Sequence, residues 1–132
     1  MTAYPKQARA LRLTGQALKV RNDRIDKRDA QLCVNCGVTI WADASRHHRK
    51  FKSRGGGDEV SNGILLCGSG TTGCHGWVHA NPKLARKLGL AVHRWEDPRE
   101  VPVDHVLYGV VYLDDLGGWS KMPPFEDGPV AA

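Results

Sequence analysis

The sequence has no long hydrophobic run. Its most apolar stretch, Gly63-Ile64-Leu65-Leu66, falls far short of the roughly 18 residues a membrane-spanning helix needs, so no membrane partner is expected. The N-terminus lacks the charged-then-apolar pattern of an export signal, which predicts a soluble protein of the cytoplasm. Internal repeats are absent. Large apolar side chains are few, with aromatics at 7%, so a small core needs help from some other source. With 132 residues the chain fits one compact domain and excludes a large multidomain enzyme.

What the chain does have is unevenly placed. Residues 1–54 carry 13 basic and 4 acidic side chains, whereas 55–132 carry 6 and 10. A basic front half points to a polyanionic partner. Residues 1–31 are expected to form one or two amphipathic helices, broken at Gly15, with Leu11, Leu18 and Ile25 seven apart among eight Lys and Arg residues. Residues 32–90 are expected to form the functional core. Val38–Trp41, Ser45–Lys50 and Ile64–Cys67 read as short strands. Ser53 to Asp58 reads as a loop because of its three glycines, Cys74 to about Asn81 as a helix, and Pro82 as the start of another. Residues 91–122 read as a strand or small hairpin extension, and 123–132, rich in Pro, Gly and Ala, as a loose tail. Trp95 and Trp119 read as core residues or, failing that, partner contacts. The expected class is α+β.

Four cysteines in a reducing compartment hold metal more often than they pair. Cys33-x-x-Cys36-Gly37 has knuckle spacing: two thiolates one tight turn apart reach a single ion, and Gly37 lets the backbone fold beneath it. Cys67 and Cys74 can complete a set of four. Four thiolates close a tetrahedral zinc site, leaving no vacancy for substrate, so this cluster is assigned to folding.

His47, His48, His75 and His79 flank the second cysteine pair. His75 and His79, four apart on a helix, share one face and can share one cation. With His47 they make a three-imidazole set that leaves positions open, the mark of a catalytic metal site. On a strand His47 and His48 face opposite ways, unless the strand end twists or bulges to bring both to one pocket. His48 is then free to take a proton from water. Asn62 can hold the backbone near it across the paired strands.

These segments resemble the HNH endonucleases, over about Cys33 to Pro82: Ser45-Arg46-His47-His48-Arg49-Lys50, Ser53-Arg54-Gly55-Gly56, Ser61-Asn62-Gly63-Ile64-Leu65-Leu66-Cys67 and Gly73-Cys74-His75-Gly76-Trp77-Val78-His79 follow that family's order and spacing. Cys67 to Gly76 looks most like small HNH endonucleases of tailed phages, often associated with DNA packaging by the terminase. The resemblance implies a beta-beta-alpha-metal core with a structural zinc on Cys33, Cys36, Cys67 and Cys74. It implies His48 as general base and Asn62 as the central Asn. It also implies one catalytic divalent ion (Mg, Mn, Ni or Zn) on His47, His75 and His79; family members differ at the positions of His47 and His79.

The implied activity is hydrolysis of DNA phosphodiester bonds to 5′-phosphate and 3′-hydroxyl ends, by nicking with weak sequence preference. Arg49, Lys50, Lys52 and Arg54 are expected to contact phosphates. Terminase subunits or the portal of a packaging complex are the implied protein partners, and the host cytoplasm the implied location. The competing expectation is a non-catalytic, zinc-stabilised DNA-binding or assembly module.

Overall fold

The computed structural model describes residues 9–41 and 45–124. The described residues form a small mixed α/β fold with three α-helices and two antiparallel sheets: α1 Gly15–Arg28, β1 Ser45–His48, β2 Gly63–Leu66, α2 Gly73–Ala80, α3 Pro82–Lys87, β3 Val103–His105, β4 Gly109–Leu113 and β5 Trp119–Ser120. Among the described residues no helix is long and apolar enough to cross a membrane.

The first sheet pairs β1 with β2, in a register that sets His47 opposite Ile64 and His48 opposite Gly63. All four residues of β2 are buried, as expected of a short strand covered on both faces. α1 covers it by direct approach: a Cβ on Gly63 would lie 2.3 Å from the Ile25 Cδ1. A side chain larger than hydrogen there would push the Ile25 and Arg21 side chains aside. Of the seven-residue stripe only Ile25 is buried; Leu11 lies before the helix and is exposed. The chain leaves α1 through Ala30 and Gln31, both left-handed at φ 54 and 60, costing about 1–2 kcal/mol each. That turn delivers Cys33 and Val34 to β2, where the Val34 N–H donates to the Leu65 carbonyl at 2.9 Å. Val38–Trp41, expected as a strand, contributes only a single bridge between Thr39 and Leu32.

The C-terminal region makes a three-stranded meander, one strand more than a hairpin, with Val103, Val111 and Leu113 in the same core as Ile25, Leu65, Val78 and Leu90. A buried charge network ties it down. The Asp29 carboxylate accepts from Arg28 Nε at 2.8 Å, from His105 Nε2 at 2.8 Å and from the Leu65 N–H at 3.0 Å, joining the end of α1, β2 and β3. Trp95 and Trp119 are not core residues. They are 74% and 42% exposed, stacked on His93 and Tyr108 respectively. Pro123 and Pro124 lack regular structure, and the rest of the expected loose tail lies outside the described residues, as does the start of the basic N-terminal segment.

Candidate functional site

The cysteine cluster forms where α1's exit turn meets the start of α2. Gly37 takes φ +82, which lets the knuckle close with the Gly37 N–H on the Cys33 carbonyl at 2.9 Å. One sulfur from each of Cys33, Cys36, Cys67 and Cys74 lies within 4.8 Å of all the others. Cys36 and Cys67 Sγ are 3.7 Å apart, against about 3.8 Å for the edge of a tetrahedron with zinc–sulfur bonds of about 2.3 Å. The Cys74 N–H and the Asn35 side-chain amide point at Cys67 and Cys74 Sγ, at 3.3 and 3.4 Å, as donors do around thiolates. Burial, with the neighbouring sulfurs, pushes the Cys74 thiol up to about 12 in the absence of a cation. Four sulfurs this close want a divalent ion, and zinc fits them.

The same helix start presents the histidines. His75 follows Cys74, and His79 lies one turn on; their Nε2 atoms are 3.1 Å apart. His47 joins them from β1, with ring centroids 5.0 Å from His75 and 5.6 Å from His79, and one nitrogen of each of the three rings lies within 4.8 Å of the others. His47 Nε2 donates to the Leu90 carbonyl at 2.9 Å, which leaves the Nδ1 lone pair as its ligand atom. Burial, reinforced by His75, pulls His47 down to about 3, so the ring is neutral and able to ligate at physiological pH. Burial and His79 also lower His75, whose Nδ1 is buried without a protein partner. These three imidazoles can share one cation. Phe51 stacks on His79 at 4.9 Å and forms an apolar wall, a contact with no signal in the sequence pattern.

His47 and His48 meet at one cavity despite strand alternation. The cavity, of about 310 Å³, is lined by both, with Arg46, Phe51, Lys52, Ser53, His75 and His79. His47 is buried and His48 half-buried. His48 Nε2 lies 2.8 Å from Asp58 Oδ1, an unanticipated partner whose only mark in the sequence is its place at the end of the glycine run. Burial lowers the His48 pKa more than Asp58 raises it, keeping the ring neutral near pH 7. Asn62 sits beneath: its Oδ1 accepts from the Lys50 N–H at 2.7 Å, and its Nδ2 donates to the Lys50 and Gly57 carbonyls at 3.1 and 2.9 Å. It therefore fixes both ends of the loop after β1, through hydrogen bonds to backbone atoms.

The four expected phosphate contacts divide. Arg49 is corrected: its side chain is fully buried, donating to the carbonyls of Gly89, Ser61, Pro98 and Val101 at 2.7–3.0 Å, and it cannot reach DNA. Burial pulls the guanidinium down to about 9, yet it stays charged at neutral pH and four carbonyl dipoles solvate it. Lys50 is half-buried and lines a separate cavity of about 550 Å³ with Arg9, Trp95 and Arg99. Lys52 is exposed at the histidine cavity, and Arg54 is exposed in the turn beyond it. Comparison with known protein families, curated proteins and solved structures finds no match to this chain.

Proposed function

We propose that the chain is a metal-dependent HNH endonuclease, built on a beta-beta-alpha-metal core, that nicks DNA with weak sequence preference. One observation carries the reading: three imidazoles able to share a cation and a fourth, differently partnered imidazole line one open cavity with a lysine at its rim. A binding module has no chemical need for that fourth ring. A divalent ion on His47, His75 and His79 would supply positive charge for the phosphate and for the departing 3′ oxygen.

The chain's own residues do the rest. His48 Nε2 is committed to Asp58, so the proton of the attacking water passes to Nδ1 as the new oxygen–phosphorus bond forms. The bond from phosphorus to the 3′ oxygen breaks, that oxygen takes a proton from solvent, and the ends are a 5′-phosphate and a 3′-hydroxyl. Lys52 neutralises a neighbouring phosphate without reading bases. Asn62 keeps the β1 exit from moving as charge develops. An association with phage DNA packaging, with terminase subunits or portal as partners in the host cytoplasm, rests on the wording of Cys67 to Gly76.

Purified protein incubated with supercoiled plasmid and Mg, Mn, Ni or Zn is expected to give open circles. A folded His48→Ala variant is expected to be slower by about 10²–10⁴-fold, the usual worth of a general base. Equal cleavage by both proteins removes His48 as the base, and no cleavage by the wild type with any of the four ions removes the nuclease reading.

A further inference from the structure

Asp58 is held at four points. Its N–H donates to the Leu11 carbonyl at 2.9 Å, its carbonyl accepts from Arg21 Nε at 3.2 Å, Oδ2 accepts from the Leu13 N–H at 2.9 Å, and Oδ1 faces His48 Nε2 at 2.8 Å. The loop that presents it is packed as tightly: a Cβ on Gly56 would lie 1.6 Å from the Lys50 carbonyl oxygen, and one on Gly57 3.0 Å from the Leu11 nitrogen. The Asp58 side chain is 8% exposed, and the Arg12 guanidinium donates to the Gly56 carbonyl at 2.6 Å. A surface ion pair formed by chance has none of this bracing. The segment before α1 is thus bonded to the glycine loop, and through the loop to His48.

We infer that Asp58 is the positioning residue of the proposed base: its carboxylate selects the Nε2–H tautomer of His48, leaving the lone pair on Nδ1, and stabilises the imidazolium formed when Nδ1 takes the proton. The chemistry is restrictive. An ionised carboxylate only accepts, so the ring nitrogen facing it must carry hydrogen. Burial alone would raise the Asp58 carboxyl, but the His48 hydrogen bond, the Leu13 N–H and Arg21 outweigh it and hold the group ionised. The inference rests on the nuclease reading for its catalytic part only, because the tautomer is a property of the resting protein.

The discriminating variant is Asp58→Asn, which is nearly isosteric. The Leu13 N–H can only donate, so it claims the one amide oxygen, and the amide nitrogen then faces His48 and donates to Nε2. His48 is forced into the Nδ1–H tautomer, with no lone pair left where the water's proton should go. In zinc-loaded, full-length protein carrying ¹⁵N-histidine, the wild type is expected to show His48 protonated at Nε2 and the variant at Nδ1, the resonance being assigned by its loss in His48→Ala. Plasmid nicking by Asp58→Asn is expected to fall in kcat by about 10²–10⁴-fold with KM for DNA unchanged and zinc content and far-UV spectrum as in the wild type. A purely structural role would not flip the tautomer. An unchanged tautomer, or wild-type kcat in the variant, overturns the inference while leaving the nuclease reading intact. Should the variant fail to fold, a wild-type His48 protonated at Nδ1 overturns it and one protonated at Nε2 supports it. A wild type that nicks nothing removes the nuclease reading and the catalytic role of Asp58 together.

Discussion

Two clusters of metal-ligating side chains share one helix start, with Cys74 in the first and the adjacent His75 in the second, yet their surroundings differ. The cysteine cluster joins the exit of α1, the end of β2 and the start of α2, and its four soft ligands complete a tetrahedron. The histidine cluster has three ligands and opens on a cavity lined also by His48 and Lys52. An ion on the cysteines would hold chain segments together, whereas an ion on the histidines would, in the function proposed above, have room beside it for a substrate. In the proposed function, ligand count and access, not the mere presence of ligands, separate folding from reaction.

That contrast breaks most readily in stability. Cys33→Ser is expected to abolish cooperative unfolding in urea, because structural zinc contributes about 10–16 kcal/mol in small zinc peptides. His75→Ala is expected to unfold near the wild-type midpoint. Equal damage from both variants would mean that the histidine cluster also holds the fold.

The next effect belongs to the reaction side. His48→Ala is expected to lose about 10²–10⁴-fold in nicking rate while keeping its zinc and its melting curve.

The fold side has its own charged anchors, which belong to neither cluster. Asp29→Ala strands Arg28 and His105 in the core, and Arg49→Ala strands four carbonyls; each is expected to cost about 3–5 kcal/mol in denaturant melts. Asp29 also sets an acid limit. Burial would raise its pKa, but the hydrogen bonds from His105 and Arg28 outweigh it, so the folded value lies below the unfolded value of about 3.9. A depressed carboxylate stabilises the fold fully above the unfolded pKa and loses that contribution as pH falls through the folded one. Melts between pH 5 and pH 2 are expected to show a fall that flattens in Asp29→Asn. The smallest effect is Lys52→Ala, which is expected to weaken DNA binding evenly across sequences and lower the slope of log K against log salt by about one.

Much of this was legible in the sequence because the chemistry is local. Knuckle spacing, the i, i+4 histidines and Pro82 at a helix start depend on neighbours a few residues apart, and the structure brings the seven candidate ligands together as two groups. The misses are long-range. Arg49 read as a loop charge, but the carbonyls that solvate it come from residues 61, 89, 98 and 101, up to 52 positions away. Asp58 looked like the end of a glycine turn, and only the chain before α1 fixes its carboxylate against His48. Asp29 and His105, 76 residues apart, carry no pattern that pairs them. The heptad leucines misled because the helix begins at Gly15, which leaves Leu11 outside it.

The most direct measurement of the division between the two clusters is native mass spectrometry of the full chain loaded with zinc, before and after mild chelation, beside His75→Ala. The wild type is expected to carry two ions and to keep one, still folded, after chelation, while His75→Ala carries one from the start. Two ions retained by His75→Ala, or unfolding of the wild type on loss of its first ion, would contradict two sites with separate roles.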